Sequence, residues 1–167
     1  MSTAAARADH PTVHVNLARR TRRGWAPPAR ELTRWVAAAL GPRGAECEIS
    51  VLVVGAKRSR SLNARYRRQD HATNVLSFPA APDTGAPGGI RRLGDLVICP
   101  EVLEREARTQ RKARGAHWAH LVVHGVLHLI GYDHGRDQDA RRMERREVRA
   151  LRTLGLPNPY RVTATHG

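Results

Sequence analysis

A single domain mixing α-helices with a small β-sheet is what the sequence predicts, and three observations carry the prediction. The chain has 167 residues, enough to bury a core without covalent staples and few for two domains. Along it the apolar positions switch between the two-residue repeat of strands and the three-to-four-residue repeat of helices, with no obvious internal repeat. One apolar segment, AHWAHLVVHGVLHLIG at 116–131, suits a buried helix and is too short and too rich in histidine to span a membrane.

Residues 1–9 lack any apolar run and are expected to be a disordered N-terminus, with no signal peptide. His10 to Leu17 alternates apolar and polar side chains through Val13, Val15 and Leu17, as a half-buried strand does. A basic run, Arg19 to Arg23, follows and suits either a solvated loop or an RNA contact. Pro27 and Pro28 then open a helix over Ala29 to Leu40, with Leu32, Trp35, Val36 and Leu40 on one face and Gly41 beyond its end. Cys47 to Val54 ends in a nearly continuous apolar run, which predicts an inner strand. Gly55 breaks it before a short basic helix, Lys57 to Arg67, with Leu62 and Tyr66 facing the core. Asp70 to Thr73 is a turn, and Asn74 to Phe78 a third strand. From Pro79 to Gly89 the Pro, Gly and Ala content predicts a mobile surface loop. Leu93 to Cys99 is the fourth strand, and Pro100 opens a helix of about ten residues around Val102 and Ala107. The histidine-rich helix comes next. A last amphipathic helix, Asp137 to Leu154, turns Met143 and Val148 inward, and residues 157–167 form a tail. The domain therefore spans 10–156.

The chemistry concentrates in HGVLHLIGYDH, 124–134. On a helix His124 and His128 are neighbours on one face, with Cβ atoms roughly 5–6 Å apart, so two imidazoles can meet one metal ion. Gly131 suits a left-handed cap that ends the helix and reverses the chain, which lets His134 swing back as a third ligand. Three neutral imidazoles leave a tetrahedral zinc one open position, as in catalytic sites. The same frame, H-x-x-x-H-x-x-G-x-x-H, occurs in a metalloprotease motif. Those proteases carry Glu after the first His as general base, and this chain has Gly125. A glycine moves no proton, and its presence within a helix implies that something approaches closely. Peptide hydrolysis by the usual route is disfavoured. His117 and His120 share the ligand face but sit further from His134, and are expected to be structural or to support the ligands. Asp133 is a candidate to orient an imidazole, and Asp95 reads as a structural strand-end carboxylate.

Net charge is +14 with a pI near 11.5, which favours an anionic partner such as nucleic acid. Of the 29 basic residues only Lys57 and Lys112 are lysine, a bias that genome composition also produces. Cys47 and Cys99 lie in separate strand-like segments and read as reduced core residues of a soluble, cytoplasmic protein.

LNARYRRQD at 62–70, NVLSFP at 74–79, LGDLVIC at 93–99 and HGVLHLIGYDH at 124–134 resemble, in order, the YbeY family of bacterial endoribonucleases. Met143 and Glu147 fit as well, and the similarity covers about residues 50–155. Ala72 stands where the family often has Pro, and Asn74 where it often has Asp. The resemblance implies a zincin-like α+β domain, a small mixed four-stranded sheet with about five helices and the metal helix packed on it. It implies one zinc per chain on His124, His128 and His134, and cleavage of single-stranded RNA in 16S rRNA 3′-end maturation and ribosome quality control. Arg67 matches the family's functional arginine, here expected to stabilise a phosphate beside a zinc-activated water; whether that water or the RNA 2′-OH attacks stays open. Otherwise Arg67 makes a surface salt bridge with Asp70. Arg58, Arg65 and Arg68 on the same basic helix are weaker RNA-binding candidates. Implied partners are ribosomal RNA, the small ribosomal subunit and the GTPase Era. The alternatives are a ribosome-assembly factor with a structural zinc, or a metalloprotease with its base elsewhere.

Overall fold

The computed structural model describes residues 11–42, 45–81 and 89–161. The expected disorder of residues 1–9, His10 at the head of the first strand, most of the loop after Pro79 and the end of the tail lie outside them. The elements run β1 (Val13–Arg19), α1 (Ala29–Leu40), β2 (Cys47–Val53), α2 (Ala56–Arg67), β3 (Val75–Pro79), β4 (Arg91–Ile98), α3 (Pro100–Thr109), α4 (Arg114–Leu129) and α5 (Asp137–Thr153). This is an α+β domain with a mixed four-stranded sheet, as expected. β1 continues past Leu17 because Ala18 and Arg19 still pair with Leu52 and Val53, and β4 begins two residues before Leu93 because Arg91 and Arg92 pair with Cys47 and Glu48. Tyr66, expected to face the core, is exposed, since only Leu62 of that helix face reaches the cluster on the sheet.

The sheet order is β1-β2-β4-β3, with β1, β2 and β4 parallel and β3 antiparallel at one edge. β2 holds the inner position its apolar run implied. Side chains alternate between two faces. Ile49, Val51 and Val53 of β2 and Leu96 and Ile98 of β4 join Leu32 and Val36 of α1, Val122 and Val126 of α4, and Met143 and Leu151 of α5 in the main core. Leu52, Leu76, Phe78 and Val97 point the other way and meet Leu62 of α2. Helices α1, α4 and α5 thus cover one face, and α2 alone covers part of the other.

Helix α4 is the pivot. It is apolar nearly all round, with Trp118, Val122, Val123, Val126 and Leu127 fully buried, and a helix of that kind belongs in an interior. Trp118 meets Trp25 edge-on at 6.0 Å, which ties the segment before α1 to α4. At Gly125 the helix lies against the sheet: an added Cβ would sit 2.8 Å from Leu96 Cδ2 and 3.3 Å from Ser77 Oγ. The Ser77 hydroxyl also donates to the Gly125 carbonyl, at 3.2 Å. The close approach that a mid-helix glycine implied is the approach of β3 and β4. No helix among the described residues is long and apolar enough to cross a membrane.

Gly125→Ala should therefore lower stability, because crowding a packed interface costs about 1–3 kcal/mol and outweighs the helix-propensity gain. Gly115, on the same helix with nothing within 4 Å of an added Cβ, is the matched control. Its replacement by alanine should be neutral or stabilise by up to about 1 kcal/mol. Urea midpoints of the two variants give the comparison.

Candidate metal centre

The end of α4 is built as the glycine implied. Gly131 takes φ +103°, and the Gly131 and Tyr132 amides donate back to the carbonyls of His128 (3.1 Å) and Leu127 (2.9 Å). That paired pattern is a Schellman cap, which satisfies the last carbonyls and reverses the chain. The reversal carries His134 back over the face of α4. One ring nitrogen from each of His124, His128 and His134 lies within 4.8 Å of the others. The Nε2 atoms of His124 and His128 are 3.1 Å apart. Two ligands of a tetrahedral ion, each bound at about 2.0–2.1 Å, stand about 3.4 Å apart, so this pair suits a metal with little movement.

Electrostatics prepare the same donors. Burial, with His124, His134 and Arg67 nearby, pushes His128 down to about 4, so its imidazole is neutral at pH 7. His124 Nδ1 lies 2.6 Å from Glu147 Oε1. Glu147 is 1% exposed. Burial alone would raise its pKa, but hydrogen bonds from His120, His124 and Tyr160 outweigh that and bring it down to about 2. An ionised carboxylate only accepts, so His124 carries its proton on Nδ1 and turns a bare Nε2 lone pair toward the other histidines. The three histidines together fit a divalent transition metal.

A cavity of about 430 Å³ opens onto this cluster, and Arg67 lines it beside His124, His128 and His134. Arg67 ends α2, and Arg68 takes the left-handed cap after it. Among the described residues Arg67 makes no side-chain hydrogen bond or ion pair; the salt bridge with Asp70 belongs instead to Arg60, at 2.8 and 3.0 Å. Two turns back along the helix, Arg60 aligns its guanidinium edge with that carboxylate, which leaves Arg67 free to face the cavity.

The remaining sequence candidates divide. His120 lies beside the ligands and reaches Glu147 Oε2 at 2.9 Å. His117 is buried further along the helix, 3.3 Å from Glu106. Asp133 meets no imidazole: its Oδ1 accepts from the His134 and Gly135 amides at 2.7 and 3.3 Å. A side chain that short bonds its own turn more readily than a ring. Here it holds the loop that presents His134. Arg58 and Asp95 line a groove elsewhere on the molecule. Arg65 and Arg68 are exposed on α2.

Two partners escaped the sequence reading. Glu147 was seen only as a position that fits the family, yet it sits in the apolar stripe Met143, Glu147, Ala150, Leu151 of α5. A carboxylate in such a stripe needs a buried partner, which was a readable signal. Tyr160, set apart by sequence in the tail, gave none. It lines the cavity and donates its hydroxyl to Glu147. Lys112 secures that segment through the Pro159 carbonyl, at 2.9 Å.

The family model for "Endoribonuclease YbeY" matches residues 25–155. The chain belongs to the YbeY family. Proteins named Endoribonuclease YbeY from Stenotrophomonas maltophilia and Stutzerimonas stutzeri are 53% and 51% identical, over 80% and 82% of this chain and 84% and 85% of theirs. The solution structure of TM1509 from Thermotoga maritima shares the fold at 21% identity, with a TM-score of 0.50, over 86% of this chain and 92% of that one.

In this YbeY family member, the Glu147 carboxylate is expected to govern metal affinity. Glu147→Gln should weaken binding by about 10–100-fold, the scale of losing a ligand's hydrogen-bond partner. Competition against a chromophoric chelator measures it, with circular dichroism confirming the fold.

Proposed function

We propose that the protein is a zinc-dependent endoribonuclease that cuts single-stranded RNA and acts in the cytoplasm on the 3′ end of 16S rRNA and in ribosome quality control. The observation that carries this reading is Arg67, a cation free of any partner among the described residues, on the wall of the same cavity as the three histidines. Its setting is a chain of the YbeY family. His124, His128 and His134 would hold the ion, and a donor set of three imidazoles suits zinc. Bound there, zinc supplies Lewis acidity toward a water molecule or a phosphoryl oxygen.

The chain's own groups do the rest. Arg67 offers a planar fork that meets two phosphate oxygens at once and neutralises charge that builds on them in the transition state. Glu147 holds the His124 ring so that it need not reorganise during the reaction. The net charge of +14 draws a polyanion toward the site. Ribosomal RNA, the small ribosomal subunit and the GTPase Era are the proposed partners.

Peptide hydrolysis finds no support at position 125. The glycine carries no base, and a side chain there would crowd Leu96 and Ser77. A non-catalytic assembly factor with a structural zinc would need a closed ligand shell, and three histidines leave a tetrahedral ion one position open.

Arg67→Ala should keep the fold and the zinc content but lose RNA cleavage by roughly a hundredfold or more, the scale seen on removing one preorganised charge-stabilising donor. Arg67→Lys should recover only part, because an ammonium cannot form the two-pronged contact. Initial rates on an unstructured RNA at matched zinc content decide it. Near wild-type rates for Arg67→Ala would return this side chain to the solvated surface.

A further inference from the structure

A second groove, of about 800 Å³, lies on the sheet face away from α4. Its floor is the row Asn16, Ser50 and Asp95, which stand in register across β1, β2 and β4. Phe78 of β3 continues the row beside Asp95. One wall is α2, through Arg58, Leu62 and Tyr66. Leu62 and Phe78 pack on the small apolar cluster beneath, but Tyr66 stays 56% exposed. Its ring meets Phe78 edge-on at 5.1 Å, and the Arg65 guanidinium lies 5.4 Å from its centroid. An exposed aromatic ring between arginines is a poor arrangement for a free surface and a good one for a stacked nucleobase.

The groove and the metal cavity meet across a single strand. Tyr66 and Phe78 line the groove, while their chain neighbours Arg67 and Ser77 line the metal cavity. A nucleic-acid strand with a phosphate at Arg67 would need only a few nucleotides to pass over the β3 edge. Polarity agrees with a base pointing inward and a backbone outward. Asp95 is half-buried and makes no side-chain hydrogen bond among the described residues. Its carboxylate repels phosphate but accepts from the amino edge of a base. Arg58 is exposed at the rim, where a phosphate would lie.

We propose that this groove is a base-binding subsite for the single-stranded RNA whose scissile phosphate sits at the metal centre, with Tyr66 as its stacking platform. The proposal rests on the RNA-cutting reading above and adds where the rest of the substrate lies.

The test is fluorescence anisotropy with labelled, unstructured 2′-O-methyl RNAs of about four and about twelve nucleotides, lengths that bracket a single-strand site. The wild type should bind the longer RNA more tightly. Tyr66→Ala should weaken that RNA about tenfold and collapse the length advantage, while Tyr66→Phe, which keeps the ring, should restore it. Arg58→Ala, at an exposed position that no fold contact depends on, should lower the slope of log affinity against log salt by about one. An unchanged length advantage in Tyr66→Ala, with an unchanged salt slope in Arg58→Ala, would overturn the subsite and give the groove to another occupant such as a protein. A wild type that binds the longer RNA but cuts none of the unmodified RNA of the same sequence would defeat the nuclease reading and still let the affinities decide the groove.

Discussion

Burying an ionised carboxylate is costly unless donors replace the water it gives up, and Glu147 has donors on both oxygens. His124 approaches Oε1, while His120 and Tyr160 approach Oε2. That single group joins three parts of the chain, the histidine helix α4, the last helix α5 and the segment that follows it. Because the carboxylate stays charged, it fixes which His124 nitrogen carries the proton and so aims the other at the metal. A neutral side chain of the same shape would leave both the burial and the tautomer unsettled.

The rest of the fold supplies the platform for that contact. Gly125 lets α4 settle against Ser77 and Leu96, which sets the height of the histidine face over β3. Gly131 ends the helix one turn after His128 and returns the chain so that His134 closes the cluster. Arg67 arrives from the opposite side of the sheet, at the end of α2, and reaches the cavity past the β3 edge. An ion site on a rigid helix and a cation on a second element, with β3 between them, give a fixed distance between the groups that meet a phosphodiester.

Much of this was legible in the residues. The helix Ala29–Leu40 begins where its prolines put it, and the inner place of β2 followed from its apolar run. The histidine spacing and the capping glycine carried the ligand cluster, because both depend on local geometry that a helix enforces. What was not legible depended on packing between distant segments. Tyr160 meets Glu147 only because the chain after α5 folds back, and no periodicity reports that. Asp70 was paired with its near neighbour Arg67 when the helix turn favours Arg60. Asp133 went to its own turn, since a backbone amide was closer than any ring.

The central claim is that three histidines, one of them aimed by Glu147, hold one ion with a coordination position left open. X-ray absorption at the zinc edge, on protein loaded with one equivalent of zinc, tests it most directly. A shell of light scatterers at about 2.0–2.1 Å with the outer-shell pattern of three imidazoles is predicted. Sulfur scattering at about 2.3 Å, an outer shell without imidazole, or zinc that stays free in solution would contradict the account.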